Sequence, residues 1–311
     1  MEKKITVALL SGGTSSEREV SLSGGDQVYH AMDKNRYDIF RYDPKTDIAQ
    51  LVADAPKIDI ALVILHGTHG EDGTVQGLLD LLNIPYQCSG TLGSSVAINK
   101  LISKYIYAQN GIPIPDFMNF KRNEAIDTDV CTRRLGLPIV VKPASGGSSI
   151  GMSIVHSEQE LVRALDKAFE YDDIVLLEEY IKGIEITGAV IGNQSLEALP
   201  IVEIVPNDTY DFFDYQAKYT VGETKEICPA RISKKLTQSA FELAKNSHNA
   251  LFCKGYSRTD MIIRDEDIYV LETNTIPGMT AASLLPIAAE KAGMNFSQLI
   301  ERLIELGLEK Y

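Results

Sequence analysis

Cysteine is scarce in this chain, and its basic residues form no cluster. The 311 residues include four cysteines, Cys88, Cys131, Cys228 and Cys253, whose spacing matches no metal-binding motif. We therefore expect reduced thiols in a cytoplasmic protein, where they would serve as small core residues. The net charge is -13 and the pI about 4.9, with no run of Lys or Arg. This balance argues against nucleic acid and anionic membranes as partners.

Long hydrophobic runs are also missing. No apolar stretch approaches the roughly 20 residues that a membrane helix needs, so we expect a soluble protein. The N-terminal segment MEKKITVALL is apolar, but "SGG" interrupts it before a signal-peptide core is complete, and we predict a buried first strand. The length and the 44% apolar content are sufficient for two or three domains.

The first part of the chain twice repeats a strand, a glycine turn and a helix. ITVALL precedes one such helix, and IDIALVILHG precedes EDGTVQGLLDLL. This pattern predicts an open parallel α/β sheet, whose ligands collect at the carboxyl ends of its strands. Gly12, Gly13, His66 and Gly67 follow those strands.

The later parts of the chain show a different pattern of predicted elements. The segment LPIVVKPASGGSSIGMSIV predicts a strand, a glycine loop and a second strand, and KGIEITGAVIGN opens a region of antiparallel strands. We place domain boundaries near residues 92 and 179, giving domains 1–92, 93–179 and 180–311. Residues 207–226 show no clean period, which is typical of a lid or binding loop.

Two segments near the end of the chain, SRTDMII and VLETNTIPGMT, predict a β-hairpin. In a strand, Glu272 and Asn274 share one face, while Leu271 and Thr273 share the other. If residues 265–267 form a three-residue turn, Asp260 lies opposite Glu272.

The same pairing sets Arg258 opposite Asn274. Carboxylate and amide oxygens suit Mg²⁺, which takes few protein ligands and completes its shell with water and phosphates. The alternative is a solvated sheet face with a cross-strand ion pair.

The loop KPASGGSSIGMS is a candidate phosphate site. Lys142 ends an apolar strand, and the small residues after it allow backbone N–H groups to approach an anion. It is not a Walker P-loop, because the lysine precedes the glycines, and a simple glycine hairpin would look similar. Lys100 and Lys218 would supply further cations for a triphosphate; the alternative for each is an ordinary surface lysine.

Four other polar residues are candidates for substrate contacts. Ser16 and Glu19 match a capping box, which leaves Glu17 available for a substrate ammonium group, although the helix dipole alone would also favour a carboxylate there. His66 is either a substrate-side group or a packed histidine. Glu178 and Glu185 could accept hydrogen bonds from an adenine amine and a ribose, or could be ordinary strand-end carboxylates.

Seven motifs stand out along the chain, namely GGTSSEREVS, LHGTHGEDGTVQG, VVKPASGGSSIGMS, FFDYQAKYT, CPARI, GYSRTDMI and LETNTIPGMTAASLLP. Together, in order and spacing, they resemble the D-alanine-D-alanine ligases of the ATP-grasp superfamily. The resemblance runs from residue 5 to about residue 300. It implies an α/β (α+β) protein with a three-domain ATP-grasp fold and an N-terminal open parallel α/β sheet.

The resemblance also implies roles for individual residues. Asp260, Glu272 and Asn274 would hold two Mg²⁺ (or Mn²⁺). Nucleotide contacts would come from Lys100, Lys142, Ser148 and Lys218, with Glu178 at the adenine and Glu185 at the ribose. Substrate contacts would come from Glu17, His66, Arg258, Ser283 and Leu284; catalytic roles would fall to Glu17, Ser148, Tyr219, Arg258 and Gly278.

The implied reaction joins two D-alanine molecules at the expense of ATP, through an acylphosphate, for bacterial peptidoglycan synthesis. The implied assembly is a homodimer. The alternatives are a D-alanine-D-serine ligase, a D-alanine-D-lactate ligase, against which the Lys218-Tyr219 pair argues, and a non-catalytic ATP-binding regulator. Two departures from the family pattern stand out: the small residues at 144–147, and Thr273 in place of an apolar residue.

Overall fold

A computed structural model describes residues 3–147, 150–206 and 224–309. Its first sheet is parallel, with strand order β2-β1-β3. Its strands and the helices among them are β1 (Ile5–Ser11), α1 (Arg18–Ala31), β2 (Tyr37–Tyr42), α2 (Ile48–Asp54), β3 (Ile60–Ile64) and α3 (Thr74–Leu81), with a 3₁₀ turn at Ala55–Lys57. The predicted N-terminal α/β sheet is confirmed, and β1 is the buried first strand expected from the sequence.

The second sheet is antiparallel and four-stranded, with order β4-β7-β5-β6. The elements of this part are α4 (Thr91–Ile98), α5 (Lys100–Gln109), β4 (Phe117–Lys121), α6 (Thr128–Leu135), β5 (Ile139–Pro143), β6 (Ser153–Val155), α7 (Glu158–Phe169) and β7 (Ile174–Glu179). Strands β5 and β6 pair antiparallel on either side of the glycine loop, so the predicted strand-loop-strand unit is present.

The third sheet is also antiparallel, with order β11-β10-β8-β12-β13 and β9 paired to β8. Its part of the chain contains β8 (Ile184–Ile191), β9 (Glu197–Ala198), β10 (Val202–Pro206), β11 (Thr224–Ile227), α8 (Lys234–Ala250), β12 (Tyr256–Arg264), β13 (Asp267–Asn274), α9 (Leu284–Lys291) and α10 (Phe296–Leu308). The predicted irregular segment ends earlier than expected, since Thr224 already begins β11; residues 207–223 lie outside the described residues.

The largest hydrophobic core joins the first sheet to the end of the chain. Buried residues of β1 and β3 form one cluster with Leu299 and Leu303 of α10 and with Leu285 of α9. The cysteines are free thiols, with Cys228 half-buried and the other three buried, as expected of small core residues. Within the described ranges, no helix combines the length and the apolar character needed to span a membrane.

The β12-β13 hairpin has the predicted pairs but not the predicted turn. Arg258 pairs with Asn274 and Asp260 with Glu272, whereas the turn contains two residues, because Arg264 already pairs with Asp267. The register shifts between Asp260 and Met261, which is a β-bulge.

The bulge corrects one further expectation about this strand. The extra residue of β13 is Leu271, and a bulge interrupts strict alternation. Leu271 therefore lines the same cavity as Glu272 instead of facing away from it. Thr273 is buried on the opposite side, as predicted.

Candidate active site

A cavity lies between the glycine hairpin of the second sheet and the strands of the third. The hairpin contributes Lys142 and Gly147 to its wall, and β12 and β13 contribute Asp260 and Glu272. The remaining lining residues are Lys100, Pro143, Ser145, Gly146, Ile150, Met152, Glu185, Ile186, Ile204, Met261 and Leu271. The structure thus brings the predicted phosphate loop and two of the three predicted metal ligands, Asp260 and Glu272, to one space, while Asn274 lies beside them without lining the cavity.

Asp260 is the centre of the polar patch on β12. It accepts hydrogen bonds from Arg258 Nε at 3.0 Å and Nη2 at 2.8 Å, and from Thr187 Oγ1 at 2.6 Å. Asn274 Nδ2 also donates to Asp260 Oδ2, at 3.1 Å. These donors fix the carboxylate in the cleft, opposite Glu272.

The donor chemistry of this patch fits a hard divalent cation. Two carboxylates and an amide, from Asp260, Glu272 and Asn274, offer oxygen atoms of the type that Mg²⁺ prefers. No group of three or more His, Cys, Asp or Glu within the described residues is arranged to hold a metal. An ion here would therefore depend on few protein ligands and take the others from water or phosphate.

Two of the predicted phosphate-binding lysines, Lys100 and Lys142, lie at the hairpin. Lys142 Nζ is 2.9 Å from Glu178 Oε1, and Lys104 Nζ of α5 is 3.0 Å from the same oxygen. Lys100 Nζ donates to the carbonyl of Gly146 in the glycine loop. Burial opposes ionisation of Glu178, but the two lysines hold its pKa below the usual value.

Glu17 and His66 approach each other at the carboxyl ends of β1 and β3. Glu17 Oε2 lies close to two glycines. A Cβ added to Gly67 would be 3.0 Å from this oxygen, and a Cβ added to Gly147 would be 3.1 Å from it. His66 Nδ1 is 3.1 Å from the carbonyl of Ile276. Burial lowers the pKa of His66, which favours the neutral ring, although Glu17 opposes the shift.

The predicted capping box in front of α1 is wrong. The helix begins at Arg18, so Glu17 itself occupies the N-cap position, without a side-chain capping bond. Ser15 Oγ instead accepts from the Glu17 backbone N–H and donates to the His66 carbonyl. The chain thereby turns Glu17 inwards, where it is only 6% exposed.

Gly278 and Ser283 form a compact turn before α9. A Cβ on Gly278 would lie 2.9 Å from Ser283 Oγ, so only glycine fits without displacing the serine. Ser283 is the N-cap of α9 and Leu284 its first residue. The first backbone N–H groups of a helix have no partner inside the helix and favour an anion such as a carboxylate.

Not every predicted residue reaches the cavity wall. Glu185 lines the cavity, whereas Glu178 is 2% exposed and lies behind Lys142. Ser148, Lys218 and Tyr219 fall outside the described residues.

Sequence reasoning missed three groups of residues in and around the site. Lys104 is a buried cation that no pattern distinguishes from a surface lysine. Glu71 accepts from the Gly67 N–H at 2.7 Å, and burial, together with nearby Glu17, raises its pKa. Five apolar residues also line the cavity, and we call them the apolar wall: Met152, Ile186, Ile204, Met261 and Leu271. Of these three groups, only the apolar wall could have been found from the sequence, because its residues occupy strand positions next to the predicted site.

Comparisons with known proteins agree with this architecture. Residues 41–89 match the family model described as D-ala D-ala ligase N-terminus, and residues 106–305 match the one described as D-ala D-ala ligase C-terminus. The chain is 58% identical to a D-alanine-D-alanine ligase of Syntrophobacter fumaroxidans, and the match covers 99% of each chain.

Solved structures give the same picture. The D-alanine-D-alanine ligase of Bacillus anthracis complexed with ATP has a TM-score of 0.86 and 38% identity, covering 98% of this chain and 97% of that one. The VanG D-Ala:D-Ser ligase of Enterococcus faecalis has a TM-score of 0.85 and 32% identity, covering 98% of this chain and all of that one (100%).

Two antiparallel sheets around a cleft with a glycine hairpin and a carboxylate patch, joined to an N-terminal parallel sheet, define an enzyme of the ATP-grasp class. Within that class, the chain belongs to the D-alanine-D-alanine ligase family. The family and the fold predicted from the sequence are both confirmed.

Proposed function

We propose that this chain is an ATP-dependent ligase that joins two D-alanine molecules into D-alanyl-D-alanine for bacterial peptidoglycan synthesis. The observation that carries the proposal is the position of Asp260 and Glu272. The hairpin register pairs them directly, on a cavity wall that faces Lys142 and the glycine loop. An enzyme that transfers a phosphoryl group needs acidic metal ligands and phosphate-binding cations around one space.

The nucleotide would lie between the second and third sheets. Lys100, Lys142, Ser148 and Lys218 would contact its phosphates and Glu185 the ribose. Glu178, which lies behind Lys142, would accept from the adenine amine once Lys142 has turned towards a phosphate. The apolar wall, with Met152 and Ile186 among its members, supports this assignment, since a purine ring needs flat apolar surfaces on either side.

The metal assignment follows from the same patch. Asp260, Glu272 and Asn274 would hold two Mg²⁺ or Mn²⁺, which, when bound, neutralise negative charge on the phosphates. Arg258 keeps Asp260 oriented through two hydrogen bonds, so the carboxylate is in place before any ion arrives.

The first chemical step activates one D-alanine. Glu17 would hold its ammonium group, with His66 beside it, and its carboxylate oxygen attacks the γ-phosphorus of ATP. The bond from that phosphorus to the β-phosphate oxygen breaks, which yields an acylphosphate and ADP. Lys142 and the backbone N–H groups of the loop stabilise the charge of the transferring group.

The second step forms the peptide bond. The free amine of the second D-alanine, whose carboxylate rests on Ser283 and the Leu284 backbone, attacks the acyl carbon. Arg258 and the Gly278 N–H stabilise the resulting oxyanion, phosphate leaves, and the amine releases a proton. Ser148 and Tyr219 would hydrogen-bond to Glu17 and so close the predicted lid, residues 207–226 apart from those that belong to β11, over the acylphosphate and exclude water.

Several properties complete the proposal. We propose three domains at 1–92, 93–179 and 180–311, a cytoplasmic location and a homodimeric assembly. The measured molar mass in solution tests the assembly.

The second candidate is a D-alanine-D-serine ligase. The VanG D-Ala:D-Ser ligase superposes on this chain nearly as well as the Bacillus anthracis enzyme does, with TM-scores of 0.85 and 0.86. A single hydroxyl group in the second substrate is a small steric change for a binding pocket.

One assay tests both candidates. The purified protein receives ATP, Mg²⁺ and D-alanine, alone or with D-serine or D-lactate, and mass spectrometry identifies the product. We expect D-alanyl-D-alanine in every mixture. D-alanyl-D-serine as the main product would transfer the assignment to the second candidate, a depsipeptide would refute the dipeptide-forming assignment, and no product with any acceptor would favour the non-catalytic regulator.

A further inference from the structure

A buried charged triad lies behind the nucleotide cavity. Lys104, Glu178 and Lys142 form it, with both ammonium groups closest to the same carboxylate oxygen, at 3.0 and 2.9 Å. Two cations share one buried anion, and Glu272 on the cavity wall adds a weaker favourable interaction with Lys104. A buried ion without a partner is strongly destabilising, so the sharing of one carboxylate by two lysines needs a physical reason.

The two lysines of the triad differ in their access to the cavity. The Lys142 side chain is 10% exposed and lines the cavity, whereas the Lys104 side chain is 0% exposed and does not. Lys104 leaves α5 under the ring of Phe117, 5.6 Å from its centroid. Lys142 can therefore exchange Glu178 for a ligand in the cavity, while Lys104 has no route to one.

Because of this difference in access, the two lysines can have separate roles, one towards the ligand and one towards Glu178. If Glu178 had Lys142 as its only cation, turning Lys142 towards a phosphate would leave a buried carboxylate uncompensated. Lys104 removes that cost because it remains on Glu178 throughout. Burial lowers the pKa of Lys104 to about 8, and Glu178 opposes the shift, so the group is mainly cationic at neutral pH.

We propose that Lys104 is a positioning residue of the nucleotide site: it is the permanent counterion of Glu178 and thereby releases Lys142 to bind nucleotide phosphate. The inference rests on the proposed function, because it takes the cavity ligand to be a nucleoside phosphate. Lys104 acts through Glu178 and Lys142 and does not touch the ligand.

The test measures binding of ADP in the presence of Mg²⁺ by calorimetry, which does not require turnover. Lys104→Met keeps the length of the side chain and removes its charge. We expect about a tenfold rise in the Kd for ADP, since Lys142 then remains on Glu178. Lys235→Met is the matched control, because it removes a lysine from an exposed ion pair with Glu266, and its Kd should be that of the wild type.

A double-mutant cycle separates this role from a merely structural one. In Glu178→Gln there is no carboxylate to compete for Lys142, so adding Lys104→Met should change the Kd for ADP by less than twofold. In turnover assays, Lys104→Met should raise the KM for ATP and leave the KM for D-alanine unchanged. A general loss of structure would affect both.

Each outcome decides a separate question. Wild-type affinity for ADP in Lys104→Met, or an equal loss in both backgrounds, would overturn the inference. If Lys104→Met alone does not fold, a loss of ADP affinity on adding Lys104→Met to Glu178→Gln would still overturn the inference, because neither of these variants has an unpaired buried carboxylate. Absence of ADP binding in the wild type would instead contradict the proposed function.

Discussion

Glu272 is the residue on which the proposed metal site most depends. It faces Asp260 across the hairpin and lines the cavity. Glu272→Gln keeps the shape and removes the charge of a proposed metal ligand, so we expect turnover to fall at least about a hundredfold. Release of phosphate from ATP with D-alanine, measured over a range of Mg²⁺ concentrations, provides the test.

The control for this substitution lies at the other end of the same hairpin. Glu266→Gln removes an exposed carboxylate in the turn and should leave turnover unchanged. Near-normal activity of Glu272→Gln at ordinary Mg²⁺ would refute the metal assignment.

His248 predicts a pH dependence of stability that is independent of catalysis. It is 1% exposed, with Nδ1 2.8 Å from Ser257 Oγ, and burial lowers its pKa to about 4. The unfolded chain binds a proton near pH 6.5 and the folded chain does not, so its contribution is complete above pH 6.5 and is lost as the pH falls towards 4. Between pH 6.5 and 5 we expect the wild type to lose about 2 kcal/mol relative to His248→Gln, a comparison in which the other buried groups with shifted pKa values, Glu71 and His66, cancel.

Urea denaturation at a series of pH values measures this loss. His248→Gln should lack this loss, so the difference in the free energy of unfolding between the two proteins should change by about 2 kcal/mol over that interval. The exposed His156, replaced in the same way, controls for removal of a histidine. Parallel curves for the wild type and His248→Gln from pH 6.5 to 5 would mean that His248 binds its proton as readily in the folded state as in the unfolded one.

At the level of elements, a buried series of hydroxyl groups lies beneath β13. Tyr107 of α5 donates to Thr273 Oγ1 at 2.7 Å, and Thr273 is 3.0 Å from Thr259 Oγ1 on β12. Thr273, the departure from the family pattern, therefore has a partner on each side. These hydrogen bonds hold β13 against both α5 and β12, on the face opposite Glu272.

Thr273→Val keeps the shape and leaves the buried Tyr107 hydroxyl without this acceptor. We expect a loss of about 1–3 kcal/mol in the free energy of unfolding, the usual cost of an unsatisfied buried group. Tyr107→Phe should cost less, about 1 kcal/mol, since Thr273 and Thr259 can still bond to each other. Urea denaturation measures both.

The double variant distinguishes the explanation from simple loss of packing. Tyr107→Phe/Thr273→Val contains no orphaned tyrosine hydroxyl, so its loss should be smaller than the sum of the two single losses. Strict additivity would show that the hydrogen bond between the two residues contributes nothing.

The hairpin also shows how far sequence patterns reach. Alternation and charge were enough to predict the pairs of Asp260 with Glu272 and of Arg258 with Asn274. They did not predict the two-residue turn or the bulge at Leu271. The turn is one residue shorter than expected and the bulge adds one residue, so the pairs beyond the bulge are the same as with a three-residue turn. The bulge also contains no glycine that would mark it in the sequence.

Other misses have a different physical cause. Lys104 lies four residues after Lys100 on one helix, and a pattern of polar residues does not reveal which long charged side chain is buried. The Glu17 environment depended on contacts between segments far apart in sequence, such as Gly67 and Gly147. Local propensity contains no information about such contacts.

At the scale of the whole molecule, the N-terminal sheet depends on the last helix. Residues of α10 share the core of β1 and β3, and Gly307 lies close against Ile60 of β3. A Cβ on Gly307 would lie 2.8 Å from Ile60 Cδ1 and 3.0 Å from Gln87 Cα. The sheet of the proposed unit 1–92 is therefore completed by residues more than 200 positions away.

Gly307→Leu should separate α10 from β3. Overpacking of a close contact costs about 1–3 kcal/mol, and we expect a loss of that size in the free energy of unfolding. Hydrogen exchange should also become faster at the backbone amides of β1 and β3, although the substitution is distant in sequence. Glu305→Leu, at an exposed position of the same helix, is the control and should change neither quantity. If exchange increased only in α10 while β1 and β3 kept their protection, the N-terminal sheet would hold its core without the helix, and the unit 1–92 would be independent in stability as well as in sequence.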